Sequence, residues 1–121
     1  MMKKILITAL TGLALLGSAS VFAKSDSMVL QDAAKNVVSI AKAKTFADET
    51  AVTLTGSIVK HISGDDFELK DSSGSIVIDV DDDLWKQIQL KAGDKVRVVG
   101  EIDTHRKKPT DIEVIKIQKI K

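Results

Sequence analysis

Residues Thr50–Val80, TAVTLTGSIVKHISGDDFELKDSSGSIVIDV, decide the fold of this chain. Apolar and polar side chains alternate in three consecutive segments of it, and a period of two is typical of strands that bury one face. Turns are predicted in the segment around Gly64 and at Asp71–Gly74, where glycine can supply the positive φ of short hairpins. The stretch therefore predicts three antiparallel strands, with Phe67 and Leu69 pointing inward.

Two more strands follow in the C-terminal part of the chain. The alternation predicts a fourth strand over Val96–Ile102 and a fifth from Ile112, with a short helix over Leu84–Ile88 before them. Glycines inside strands often mark bends, and Gly56 and Gly100 occupy such positions. An all-β fold with short helices is expected, namely a five-stranded OB-fold barrel preceded by an N-terminal helix. An open meander with one helix on its face has the same strand count and remains the alternative.

The N-terminus has the pattern of a cleaved secretory signal. It begins MMKK, continues with an apolar run over Ile5–Leu16 and ends in small residues, with Val21 and Ala23 before the expected cleavage point. A bilayer span needs roughly 20 apolar residues, so this run is too short to serve as one. We therefore expect export and no stable membrane anchor after cleavage.

Two helices are possible before the first strand. An apolar stripe from Leu30 to Ala41 predicts one helix that runs to about Lys44. Alternatively, Ser39 caps a shorter helix over Ile40–Ala47, since serine readily accepts a bond from a free helix amide. The chain is expected to divide into a signal peptide, a tail or helix start, and one OB-fold domain: residues 1–23, 24–38 and 39–121.

Composition excludes some classes of protein. The whole chain has 18 basic and 17 acidic side chains, and removal of the signal leaves a net charge near −1. It therefore has no overall basic field that would attract nucleic acid. Cysteine is absent, so an exported domain must be held by its own core.

Several segments resemble one known family in their order and spacing. They are Val52–Ile58 (VTLTGSI), Gly64–Val80 (GDDFELKDSSGSIVIDV), Asp83–Trp85 (DLW), Val96–Asp103 (VRVVGEID) and Asp111–Val114 (DIEV). This pattern resembles the bacterial OB-fold (BOF) family, the YgiW/YdeI-like stress-tolerance proteins. The family often has glycine where this chain has Lys86-Gln87, and tyrosine in place of Phe67.

The resemblance implies a periplasmic, non-enzymatic OB barrel associated with envelope or oxidative stress tolerance. It also implies a small molecule or an envelope glycan as ligand, and no nucleic acid. It favours the shorter helix, which begins after Ser39.

A binding groove is predicted from the way OB barrels work. They usually bind across the outer face of strands two and three, between the loops that join strands one to two and four to five. Those loops are predicted at His61–Asp66 and Thr104–Thr110, which would put both histidines at the edges of one groove. The candidate ligand-binding residues are Lys60, His61, Glu68, Lys70, Asp79, Arg97, Glu101, His105 and Arg106.

These residues also have simpler interpretations. The histidines could be solvated loop residues, and the mixed charges could be cross-strand pairs that stabilise the sheet. A second functional hypothesis is a protein-interaction adaptor for an envelope protein, using an outward strip of Val59, Val77 and Val99.

The sequence gives little support for metal binding or for catalysis. Asp79, Asp81 and Asp83 alternate as at the start of an EF-hand loop, but Leu84 and Leu90 stand where that loop needs glycine and glutamate. No specific metal site and no cofactor are therefore expected. The chain carries no nucleophile elbow, HExxH motif or phosphate-binding loop, so an enzyme is not expected.

Overall fold

The structure, a computed structural model, describes residues 26–121, so the predicted signal peptide lies outside the described residues. Three helices and five strands follow one another along the described chain. They are α1 (Asp26–Ala34), α2 (Ile40–Ala43), β1 (Ala51–Ser63), β2 (Asp66–Asp71), β3 (Gly74–Asp79), α3 (Asp82–Gln87), β4 (Lys95–Asp103) and β5 (Asp111–Lys119). Within residues 26–121 no helix has the length and apolar character needed to cross a membrane.

The five strands close into a barrel in the order β1-β2-β3-β5-β4. The long strand β1 pairs with both β2 and β4, which closes the barrel, and β3 pairs with β5 in parallel. The other ladders are antiparallel. This topology confirms the OB-fold prediction and rules out the open meander.

The inward side chains of all five strands fill the barrel. Phe67 and Leu69 on β2 are completely buried, as the alternation predicted. Helix α3 packs against one part of this core through Leu84 and Trp85. Since a fully buried side chain of this size contributes about 1.5–3 kcal/mol, the core can hold the domain without disulfides.

The two strand glycines are required by close backbone contacts. A Cβ atom at Gly56 would lie 2.5 Å from the carbonyl oxygen of Lys70, and one at Gly100 would collide with the carbonyl of Glu113. The β4–β5 ladder also has a bulge between Val99 and Gly100, which agrees with the predicted bend. Neighbouring strands approach these points too closely for any side chain.

The prediction of one helix to Lys44 is wrong, because α1 ends at Ala34. The chain then extends along β1, where Val37 forms a parallel bridge with Thr53. After this bridge Ser39 caps α2 by accepting a hydrogen bond from the Lys42 amide. The predicted cap is confirmed, but α2 ends at Ala43 rather than Ala47.

Helix α1 covers part of the outer surface of the barrel. Val29 and Ala33 are buried against Ala51, and Val99 packs on this small cluster. The Thr53 hydroxyl donates a hydrogen bond of 2.9 Å to the carbonyl of Ala33. Val99 is therefore covered by the chain's own helix, so Val59, Val77 and Val99 do not form one open strip.

The predicted loop over His61–Asp66 is mostly strand. β1 continues to Ser63, and only Gly64 and Asp65 separate it from β2. Gly64, the glycine predicted for this turn, has a positive φ. The positive φ predicted for Gly74 is wrong, because Asp71 Oδ1 holds that turn by accepting hydrogen bonds from the Ser73 amide and hydroxyl and from the Gly74 amide.

Candidate functional site

An open groove crosses the outer face of β2 and β3, where OB barrels usually bind their ligands. It has a volume of about 370 Å³ and lies between the end of β1 and the connection from β4 to β5. Its lining combines cationic, anionic and apolar side chains: Lys44, Lys60, Ile62, Glu68, Ser75, Ile76, Val77, Pro109 and Thr110. This is the groove position that the sequence predicted.

A bulge in β1 brings Lys60 into the groove. The register of β1 against β2 shifts between Ile58 and Lys60, so Val59 is an extra residue and the alternation of side chains reverses after it. Lys60 therefore stands opposite Glu68 on the outer face. This pair places opposite charges side by side in the groove.

The same bulge turns His61 away from the groove. His61 stands opposite Phe67, and their rings stack with centroids 4.2 Å apart. The Trp85 ring meets both in an edge-to-face arrangement and donates its Nε1 hydrogen bond to Asp65. His61 thus belongs to an aromatic cluster beside the buried Phe67, which corrects its predicted place at a groove edge.

The outer face of β2, β3, β5 and β4 is strongly acidic. Because alternate residues of these strands fill the core, their other side chains form two cross-strand rows of four. The rows are Asp66–Asp79–Glu113–Glu101 and Glu68–Val77–Asp111–Asp103. Seven of these eight positions carry a carboxylate, and like charges directly opposite each other destabilise a sheet.

Two carboxylates of this acidic face, Asp79 and Glu113, have raised pKa values. Burial raises the pKa of Asp79, and the nearby carboxylates of Asp66, Asp111, Asp65 and Asp81 raise it further. Glu113 also has a raised pKa, first from burial and then from surrounding carboxylates that include Asp79. Asp79 and Glu113 therefore take up a proton more readily than carboxylates in water do.

Two groups of side chains on or beside this face have the spacing of metal ligands. Asp103, His105 and Asp111 each offer one ligand atom, and these atoms lie within 4.8 Å of one another. Asp65, Asp79 and Asp81 form a second group by the same criterion. Asp83, the third aspartate compared with an EF-hand loop, is in neither group. Asp81 stands at the N-cap of α3, but its side chain makes no capping hydrogen bond.

The nine predicted site residues lie on several surfaces. Lys60 and Glu68 line the groove, whereas Asp79 and Glu101 lie in one row of the acidic face. His105 contacts Asp103 and Asp111, and so lies in a different cluster from His61. The structure does not bring both histidines to one groove.

The remaining basic candidates are also separated. Arg97 lines a cleft beside α1 together with Thr55 and Val99, on another part of the barrel surface. Lys70 is exposed on β2, and Arg106 is exposed in the connection between β4 and β5. A single basic rim made of Lys70, Arg97 and Arg106 is therefore absent.

Sequence reasoning missed several residues of these sites. Lys44 reaches the groove only because α2 docks on the β2–β3 hairpin, where Asp71 accepts the Ile40 amide. Pro109 and Thr110 follow the basic residues 106–108 of the connection and carry no charge that would mark them as ligand contacts. The available sequence signal for this cluster is one histidine, His105, in a connection that has an aspartate at each end, Asp103 and Asp111.

Comparison with known proteins agrees with this architecture. A sequence profile described as Bacterial OB fold (BOF) protein matches residues 18–119. The chain belongs to the bacterial OB-fold family. This family is not known for enzymatic activity.

Relatives in this family come from several bacteria. An uncharacterized protein of Haemophilus influenzae is 29% identical over 119 residues, which cover 98% of each chain. Protein YgiW of Escherichia coli is 36% identical over 85 residues, which cover 70% of this chain and 65% of YgiW. The solved structure of ygiW superposes with a TM-score of 0.65, covering 70% of this chain and 90% of that one.

A third relative carries a more descriptive name. The calcium-regulated OB-fold protein CarO of Pseudomonas aeruginosa is 39% identical over 57 residues. The matched region covers 47% of this chain and 49% of CarO.

Proposed function

We propose that this protein is an exported, non-enzymatic binding module of the bacterial periplasm. In this proposal it takes a small polar ligand or an envelope glycan in the β2–β3 groove and contributes to envelope or oxidative stress tolerance. The observation that carries the proposal is the groove itself, which combines opposite charges with apolar side chains at the usual OB binding position.

The groove has a size and chemistry that suit such a ligand. Its volume of about 370 Å³ falls within the range of small-molecule pockets, about 300–1,000 Å³. Lys60 and Glu68 offer a donor and an acceptor, while Val77 and Pro109 offer apolar contact. Sugars and short peptides present polar groups beside C–H surfaces, so they match this lining.

The surroundings of the groove disfavour nucleic acid. The acidic rows on β3, β5 and β4 would repel phosphate groups that extend beyond the groove. Base stacking needs exposed aromatic rings, but Phe67 is completely buried and Trp85 packs against it. A compact ligand that stays within the groove avoids both problems.

The export and stress roles rest on other support. The N-terminal sequence has the signal-peptide pattern, and the family resemblance implies a periplasmic stress protein. The description of CarO as calcium-regulated supports a role that responds to ionic conditions.

Calorimetric titration with defined muropeptides and lipid A sugars tests this function. Lys60→Ala and Glu68→Ala should each weaken binding by about 10- to 150-fold, since losing one charge-assisted hydrogen bond costs about 1.5–3 kcal/mol. Arg97→Ala is the matched control, because Arg97 lies outside the groove. Absence of saturable binding to every probe, or an equal loss in Arg97→Ala, would refute the groove as the binding site.

An adaptor function is the second candidate. Val59 and Ile62 are 42% and 44% exposed near the end of β1, and Ile62 also lines the groove, so a partner could contact both at its edge. Crosslinking in envelope preparations should lose a discrete adduct when both are changed to serine. An unchanged adduct pattern would reject this candidate.

A further inference from the structure

Asp103 and Asp111 face each other across the last pair of the β4–β5 ladder. Asp103 ends β4, Asp111 begins β5, and the two residues are direct cross-strand partners. The connection between them carries His105, which folds back over the pair. Its Nε2 atom lies 3.3 Å from Asp111 Oδ2 and 3.7 Å from Asp103 Oδ2.

The buried polar atoms of this cluster are incompletely satisfied. The Asp111 side chain is only 10% exposed, and its Oδ1 atom has no hydrogen-bond partner among residues 26–121. Within the same described region His105 Nε2 also lacks one, despite the two nearby carboxylates. Buried polar atoms are rarely left without a hydrogen-bond partner, because each such atom raises the free energy of the folded state. A cation bound between His105 Nε2 and the Asp111 carboxylate would give the unpartnered nitrogen a ligand bond.

The charges around the cluster also favour a cation. The carboxylates of Asp103 and Asp111 both lie within 3.7 Å of His105 Nε2, and Lys108 is a single positive charge nearby. Glu113 and Asp79 extend the negative surface across the neighbouring strands.

We propose that Asp103, His105 and Asp111 form a binding site for a divalent transition-metal ion of the Zn²⁺ class. In a tetrahedral shell with metal–ligand distances of about 2.0–2.2 Å, two ligand atoms lie about 3.3–3.6 Å apart. The nitrogen–oxygen distance of 3.3 Å lies within that range, and the distance of 3.7 Å lies just above it.

The donor set selects the class of metal. Imidazole nitrogen suits Zn²⁺ and its neighbours in the first transition row, whereas Ca²⁺ and Mg²⁺ prefer oxygen alone. Ca²⁺ also takes 6–8 oxygen ligands, more than two aspartates supply. The group of Asp65, Asp79 and Asp81 has no imidazole, and it serves as the internal comparison.

A metal ion at this site would stabilise the connection between β4 and β5, which borders the ligand groove. Its ligands stand at both ends of residues 104–110 and within them, and Pro109 and Thr110 from this segment line the groove. A metal ion would join the two ends and hold one wall of the groove. Metal binding does not depend on the proposed glycan ligand, so either proposal can fail alone.

Calorimetric titration of the purified, untagged protein with ZnCl₂ tests the site. We expect one Zn²⁺ to bind per chain. His105→Ala, Asp103→Asn and Asp111→Asn should each weaken the affinity for Zn²⁺ at least about 10-fold. Asp81→Asn is the matched control, since it removes one carboxylate from the comparison group and none from the site. Circular dichroism of each variant checks that the barrel has folded.

Two further measurements test the coordination geometry of the site and its effect on stability. Co²⁺ should give the visible absorption of a tetrahedral site, and His105→Ala should abolish it. Zn²⁺ should raise the midpoint of thermal unfolding of the native chain but not of the Asp111→Asn variant, because an ion that binds only the folded state stabilises it.

Three outcomes would overturn the proposal. One is no binding of Zn²⁺ at micromolar to submillimolar concentrations. Another is an equal loss of binding in Asp81→Asn, which would place the ion elsewhere. The third is tighter binding of Ca²⁺ than of Zn²⁺, which would contradict the assigned metal class.

Discussion

Asp71 and Ile40 are 31 residues apart in sequence, yet Asp71 Oδ2 accepts a 2.9 Å hydrogen bond from the Ile40 backbone amide. Asp71 Oδ1 holds the β2–β3 turn at the same time, through the Ser73 and Gly74 amides. One carboxylate therefore joins α2 to the hairpin, and this contact positions Lys44 beside the groove.

Replacing this carboxylate should destabilise the domain. Asp71→Asn keeps the shape of the side chain but weakens its acceptor bonds, so we expect a loss of about 1–3 kcal/mol in the free energy of unfolding. Urea denaturation measures this change. Asp82→Asn is the control, because Asp82 forms an exposed pair with Lys86 and should cost at most about 1 kcal/mol. Equal losses in both variants would show that Asp71 has no special role.

The contribution of Asp71 should depend on pH. Burial, the largest single influence, raises its pKa, but hydrogen bonds from Ser73, Ile40 and Gly74 together hold the pKa below its usual value. A lowered pKa means that the stabilisation is complete above the unfolded value, about 3.9, and is lost as the pH falls through the folded value. The stability difference between the native protein and Asp71→Asn should therefore shrink below about pH 4. A difference that stays constant down to pH 2 would contradict this explanation.

The contribution of Asp79, on the acidic face, to the stability of the fold should change with pH in the opposite direction. Because the pKa of Asp79 is raised, its charged form destabilises the fold above that pKa, and protonation relieves the cost as the pH falls. Asp79→Asn should therefore stabilise the protein near pH 7, by a fraction of a kcal/mol up to about 1 kcal/mol. Urea denaturation with a chelator present measures the effect, and added salt should reduce it by screening. Destabilisation by Asp79→Asn under these conditions would contradict the proposed repulsion.

Gly100 should be far less tolerant of substitution than Gly74. A Cβ at Gly100 collides with the backbone carbonyl of Glu113, whereas one at Gly74 meets nothing within 4 Å. Gly100→Ala must shift the β4–β5 ladder, so we expect a loss of about 1–3 kcal/mol or more. Gly74→Ala, at a negative φ, should change stability by less than about 1 kcal/mol. Comparable unfolding midpoints for the two variants would contradict the close approach of the strands.

The amino-acid sequence alone determined the strands and the barrel. Alternation placed Phe67 and Leu69 inside because side chains in a strand alternate between its two faces, whatever the strand pairs with. The same local rules located the hairpin turns and the cap at Ser39. They also located the groove, since its position follows from the barrel type, and one of its lining residues, Glu68, whose outward direction follows from the alternation on β2.

Tertiary structure alone decided which side chains share a site. The extra residue Val59 reverses the alternation of β1, which moves His61 to the Phe67 ring and leaves Lys60 in the groove. Barrel closure sets Asp103 opposite Asp111 and aligns seven carboxylates from four strands on one face. A strand's own sequence encodes which of its side chains share a face, but not the register of its neighbours, so these contacts arise only when the sheet is assembled.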